Sequence, residues 1–197
     1  MNHQEILERV WALLERGTIN RKDDFHTCAL ATIGIDGQPE IRTVVFRKLL
    51  REPRTLLCHV DVRSPKVAEI ERDPCVSWLF YHVDEKLQLR IRGRAAIQTN
   101  TELAESQWHN SQLFSRRCYC GDAPGTHKEM PSSGMPEFLV DREPTLAESE
   151  QLGRKNFAVL SSTVDEIDVY ELNVRGHRRS LFKWSEQGEL EAQWLTP

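Results

Sequence analysis

The amino-acid sequence predicts a mainly β (α+β) fold, an antiparallel β-barrel with flanking helices. Short segments rich in β-branched residues alternate apolar with polar positions, beginning at Thr27–Ile33. Turn residues separate many of them, so neighbours are expected to pair antiparallel. Helical periodicity is confined to the N-terminus and to a few stretches between strands.

Ile6, Val10, Leu13 and Leu14 lie at helical spacing within residues 3–16, which predicts an amphipathic helix inside residues 1–20. Thr27–Ile33 is a strand, Asp36-Gly37 a hairpin turn, and the partner strand runs from about Pro39 through Leu49. Arg54–Val60 is the third strand. Ser64 then reads as a helix cap, Pro65 as a first-turn residue, and Asp73-Pro74 as the stop. Cys75–His82 and Lys86–Gln98 follow as strands. In the second, Gln88, Arg90, Arg92 and Arg94 alternate with apolar residues and share one face, turned to solvent, a cavity or a subunit interface.

Thr101–His109 reads as a helix with Leu103, Ala104 and Trp108 inward. Residues 120–144 collect glycine and proline and form one long loop, a mobile lid or a partly disordered excursion. Thr145–Asn156 is expected to be helical, with Leu146 and Leu152 packed. The last strands are Phe157–Ser161, Ile167–Leu172, Arg179–Trp184 and Leu190–Leu195. Nothing repeats, and residues 1–197 read as a single domain.

Lys and Arg total 26 against 30 Asp and Glu, a net charge of -4. With a pI near 6.0, that balance argues against nucleic-acid binding. No apolar run is long enough to span a membrane, and the N-terminus shows no signal-peptide pattern. The five cysteines (28, 58, 75, 118, 120) read as reduced, buried thiols of a cytoplasmic protein. Cys118-Tyr119-Cys120 is too tight for a zinc knuckle, so no metal is expected. Phosphate-loop, nucleophile-elbow and metalloprotease motifs are missing. Chemistry is therefore expected from a bound cofactor, and no residue is assigned as catalytic.

Against that acidic background, positions 40–66 hold seven cations (Arg42, Arg47, Lys48, Arg51, Arg54, Arg63, Lys66) and three acids. If the second and third strands are neighbours, Arg42, Arg63, Ser64 and Lys66 meet at a helix N-terminus and make a receptacle for one phosphate. The simpler alternative leaves them on a solvated edge. Arg175-Gly-His177-Arg-Arg179 forms a second cationic knot beside the last hairpin.

The order of these motifs resembles the pyridoxamine 5'-phosphate oxidase-like, FMN-binding split-barrel family, over about Trp11 to Pro197. Arg42-Thr-Val-Val-Phe-Arg47 is similar to the family's phosphate-strand motif, and His59-Val-Asp-Val-Arg-Ser-Pro-Lys66 to the motif that follows. The match is nearer to the oxidase-related branch than to the vitamin B6 oxidase itself. The resemblance implies a split barrel and a homodimer with FMN at the subunit interface. It implies cofactor contacts from Arg42, Thr43, Val44, Val45, Arg47, His59, Val60, Arg63, Ser64, Lys66, Gln88 and Arg179. Arg175 and His177 would meet a small anionic substrate such as pyridoxamine or pyridoxine phosphate. Where the family has Tyr-Thr this chain has His59-Val60. Gln112 stands where an arginine would face the substrate phosphate, leaving Arg116 or Arg117 as substitutes. Three functions stay open: a B6-phosphate oxidase, an FMN-dependent reductase or oxidase of another substrate, and a non-enzymatic flavin-binding module.

Overall fold

The computed structural model describes residues 1–197 and is mainly β with helices. Helix α1 (His3–Ile19) precedes β1 (Thr27–Ile33), β2 (Pro39–Leu50) and β3 (Thr55–Asp61). Helix α2 (Pro65–Arg72), strands β4 (Cys75–His82) and β5 (Leu87–Gln98), and helices α3 (Glu102–Asn110) and α4 (Leu113–Arg116) follow. The chain ends in β6 (Phe157–Glu171), β7 (Arg178–Trp184) and β8 (Leu190–Leu195). Strand order is β3-β2-β1-β4-β5-β6-β7-β8, and β3 also pairs with β6. That extra pairing closes six strands into an antiparallel barrel without a free edge. The β7–β8 hairpin continues outward from β6.

Alternation explains the closure. Strand β4 buries Val76, Trp78 and Phe80, while β5 buries Leu87, Leu89 and Ile91 on the same inner side. Helix α1 adds Ile6, Val10, Leu13 and Leu14 to this core. Its start is set by a reciprocal cap: Asn2 Oδ1 accepts from Glu5 N, and Glu5 Oε2 accepts from Asn2 N, each at 2.9 Å. A smaller apolar cluster gathers Leu57, Ala104, Trp108 and Phe157 beneath α3.

Two irregularities shape the barrel. Between β2 and β3 the register slips from Phe46↔Cys58 to Lys48↔Leu57, leaving Arg47 as an extra, bulged residue. Between β5 and β6, Arg92 faces Glu166 and Gly93 faces Val164, so Asp165 is extra. Gly93 is required there, because a Cβ would fall 1.9 Å from the Thr163 carbonyl oxygen.

Several expectations are corrected. Phe157–Ser161 and Ile167–Leu172 are parts of one continuous strand, since the Asp165 bulge bends β6 without ending it. Thr145–Asn156 is broken into an α-turn, a π-turn (Ser149–Gly153) and a 3₁₀ turn. Gly153 packs there against Trp108 and Cys120, where a Cβ would sit 3.2 and 3.1 Å from them, and Leu146 is exposed rather than packed. Ser64 occupies the cap position of α2, yet its hydroxyl donates back to Asp61 O at 2.8 Å. Cys28, Cys58 and Cys120 are buried, whereas Cys75 and Cys118 are exposed; Cys75 falls on an outward position of β4. The loop 120–144 is irregular apart from Glu137–Leu139, and Leu139 is fully buried. No helix is long and apolar enough to cross a membrane.

Candidate functional site

Strand β2 links two polar cavities, one at each end of the Arg42–Arg47 segment. At the first, Arg42, Ser64 and Lys66 converge on a space of about 340 Å³, walled also by Glu40, Glu69, Pro124 and Gly125. Lys66 Nζ donates to Ser64 Oγ at 3.0 Å. Burial, and after it the charge of Arg42, draws the Lys66 pKa below its ordinary value.

Arg42 is anchored. Its Nη1 donates to Thr32 Oγ1 and, at 3.5 Å, to Leu30 O, while Nη2 donates to Glu69 Oε2 at 2.8 Å. Glu69 is buried and also accepts from Thr32 Oγ1 at 2.5 Å. Of five guanidinium protons, Nε–H and one Nη2–H remain for a ligand. A hydroxyl, an ammonium and a partly free guanidinium at the start of an eight-residue helix suit a phosphate group. The neighbouring carboxylates temper the charge: Glu69 offsets Arg42, and Glu40 lies 3.9 Å from it.

Arg63 does not join this cavity. Its Nε and Nη2 pair with Asp61 at 2.9 and 2.7 Å, and its Nη1 donates to Gly121 O at 3.0 Å. It thus ties the start of the 120–144 loop to α2, and that loop supplies Pro124 and Gly125 to the cavity wall. Sequence reasoning missed Thr32, Glu69 and this loop contact. Only the pairing of β1 with β2, which sets Leu30 opposite Arg42, brings Thr32 to the guanidinium.

The second cavity, about 290 Å³, lies where the Arg47 bulge and β3 meet the end of α1 and the segment 107–115. Arg47, His59, Arg21, Gln107, Gln112 and Ser115 line it. Arg47 Nε is buried without a hydrogen-bond partner. His59 Nε2 lies 3.2 Å from Gln107 Oε1, within hydrogen-bond reach. Burial, with the Arg47 charge adding to it, lowers the His59 pKa to about 4 against the pull of the Gln107 hydrogen bond.

Other expected contacts lie elsewhere. Val60 is in the core and Val44 packs against it; Thr43 and Val45 stand on the outer side of β2. Gln88 falls on the outer face of β5, in one row with Tyr81, Tyr170 and Arg179. Arg179 clamps buried Asp168 with Nε and Nη2 at 3.0 and 2.9 Å, and Arg90 donates to the same carboxylate. Burial pushes the Asp168 carboxyl up, but the two arginines hold it below its ordinary value. Arg175 and His177 are exposed on the β6–β7 turn, where His177 Nδ1 accepts from Asn173 N. None of these four lines either cavity.

A further cavity, about 530 Å³, opens between β1, β4, β5 and β7. Three cations and two acids line it, with Glu166 3.5 Å from Arg92 and 3.4 Å from Lys183. No group of three or more His, Cys, Asp or Glu side chains is placed to hold a metal ion. Burial pushes the Cys58 thiol up to about 12, so it is no nucleophile.

A closed six-stranded antiparallel barrel with a phosphate-suited corner beside a strand fits the split-barrel fold. Residues 8–99, just under half of the chain, match the family model "Pyridoxamine 5'-phosphate oxidase, FMN-binding domain". The chain is similar to pyridoxine/pyridoxamine 5'-phosphate oxidase 2 of Arabidopsis thaliana, 34% identical over 129 residues, 56% of this chain and 65% of that protein. It covers 39–41% of several bacterial pyridoxine/pyridoxamine 5'-phosphate oxidases, so the chain spans less than two thirds of these curated relatives. Two solved structures share the fold. One is a pyridoxamine 5'-phosphate oxidase-related, FMN binding protein from Nostoc punctiforme (TM-score 0.76, 21% identity, 96% of each chain). The other is PhzG from Burkholderia lata, in complex with tetrahydrophenazine-1-carboxylic acid (TM-score 0.69, 21% identity, 98% of this chain and 91% of that one).

Proposed function

We propose that this protein is an FMN-dependent oxidoreductase of small anionic substrates that works as a cytoplasmic homodimer. The convergence of Arg42, Ser64 and Lys66 on one cavity is the observation that carries the reading. In it, Lys66 and Ser64 hold the FMN phosphate, with Arg42 donating its two remaining protons. The Cα atoms of Arg42 and Arg47 are roughly 16 Å apart along β2, comparable to an extended FMN. The ring would then lie along Thr43–Val45, toward His59 and Arg47. Bound FMN supplies two-electron chemistry, and the chain's residues orient it and screen it from water.

The dimer is argued from incompleteness. Gln88, Arg175, His177 and Arg179 stand outside both cavities of their own chain. A second copy could present them to the flavin. Ile41 at 68%, Tyr81 at 45% and Leu79 at 38% exposure make a sheet face apolar enough to pair. Similarity to the Arabidopsis oxidase favours a second, narrower reading, a B6-phosphate oxidase in which Arg175 and His177 meet the substrate.

Titration of the purified protein with FMN, followed by flavin fluorescence and by sedimentation, tests the proposal. One FMN per chain on a dimer is expected. Folded protein that binds no FMN would sink it. Peroxide release with pyridoxine 5'-phosphate marks the narrower reading, and anaerobic flavin reduction by NADPH marks a reductase.

A further inference from the structure

Residues 121–134 leave the barrel between two firm anchors. Before them, Cys120 is buried and Asn156 Nδ2 donates to Tyr119 O at 2.8 Å. After them, Leu139 is fully buried and Arg117 Nη1 donates to Val140 O at 2.9 Å. Between the anchors, Ala123-Pro124-Gly125-Thr126 makes a tight turn, closed by Thr126 N donating to Ala123 O at 3.1 Å. Pro124 at its first corner and Gly125 at φ +85° at its second suit a type II turn. This tip supplies one wall of the cavity where Arg42, Ser64 and Lys66 converge. Residues 127–133 behind it are all exposed.

Little holds the tip down. Asp122 N donates to Gly134 O at 2.8 Å, joining the two limbs of the loop. The bonds that tie these residues to the barrel both come from Arg63, with Nη1 3.0 Å from Gly121 O and Nη2 3.4 Å from Asp122 O. Asp61, 8% exposed, aims that guanidinium by accepting from Nε and Nη2.

We propose that residues 121–134 form a lid over the phosphate corner and that Arg63 is the positioning residue that latches it. The inference rests on the reading that the FMN phosphate occupies that corner. Arg63 then touches the lid's carbonyls and not the phosphate. Opening breaks two charge-assisted hydrogen bonds and leaves Asp61 paired, so the movement stays local. A latch that lies outside the ligand favours the closed state with or without FMN. It therefore slows entry and release together and leaves affinity nearly unchanged.

Two variants loosen the lid from opposite sides. Arg63→Lys keeps a cation for Asp61 but loses the fork that reaches Gly121 and Asp122. Gly121→Ala leaves Arg63 intact, and its Cβ would fall 2.5 Å from Gly134 O, forcing the limbs apart. Stopped-flow flavin fluorescence should show FMN binding and release each about tenfold faster in both variants, with Kd within about threefold. Amide exchange at Asp122 and Thr126 should quicken likewise in flavin-free protein, while β2 and α2 keep their protection. Unchanged FMN rates in both variants would overturn the lid. Slower binding with a raised Kd in Arg63→Lys alone would make Arg63 a phosphate contact instead. In a protein that takes up no FMN the flavin reading falls, and quickened amide exchange would still uphold the latch.

Discussion

Arg42 and Arg47 sit five residues apart on one strand, and their surroundings could hardly differ more. Arg42 is held by Thr32, Leu30 and the buried Glu69, so much of its charge is spent on keeping its own geometry. Arg47 is pushed out of register by a bulge and makes no such bond. The difference separates the two jobs a cation can do in a site. A guanidinium with a carboxylate behind it is stiff and offers a few aimed protons. An unpartnered one is available for charge, and its ligand decides its final position.

The comparison breaks most sharply at Arg42. Arg42→Met leaves Glu69 buried beside Thr32 without its hydrogen-bonded guanidinium, and removing one partner of a buried pair should cost about 3 kcal/mol of stability. Chemical denaturation measures it, and adding Glu69→Gln should recover a large part. Arg47→Met should leave the denaturation midpoint almost unmoved, because no buried acid depends on it. Equal losses at the two positions would erase the distinction.

Lys66 probes the ligand side of the same corner. Lys66→Met removes a charge-assisted contact of about 1.5–3 kcal/mol, so FMN affinity should fall roughly tenfold to a hundredfold. Riboflavin, which lacks the phosphate, should bind both proteins alike in a fluorescence titration. A matching loss for riboflavin would place Lys66 away from the phosphate. Because burial already lowers the Lys66 pKa, FMN affinity should also weaken at a less alkaline pH than an ordinary lysine would give.

The sequence showed the barrel well and the site by halves, for physical reasons. Strands β1 and β4 matched residue for residue, since period-two alternation ending at turn or Pro signals leaves little freedom. The run Phe157–Leu172 was misread because Thr163–Glu166 carries polar residues, and a bulge lets a strand pass through them. Ser64, Lys66 and Arg42 were legible as a basic knot beside a helix start. Glu69 was not, because an acid on a short helix looks solvated until β1 brings Thr32 against it. Arg63 was misplaced for a related reason: Asp61, two residues away, captures its guanidinium. The bulge that frees Arg47 leaves no trace in a string of β-formers.

His59 supplies the smallest test, and it reports on Arg47 directly. Burial, together with the nearby Arg47 charge, keeps the ring neutral in the folded protein down to about pH 4. The unfolded chain takes up that proton near the ordinary histidine value of about 6.5. Stability is therefore complete above pH 6.5 and is lost as pH falls from there toward 4, with an upper slope of about 1.4 kcal/mol per pH unit. The ring borders a solvent-open cavity, so a total loss of about 1 kcal/mol is expected, read from denaturation midpoints across that window. His59→Gln should flatten this part of the profile. Arg47→Gln should shift its lower end upward, because the charge opposing protonation is gone. If neither change moves the profile, Arg47 does not reach His59, and the two do not share one cavity wall.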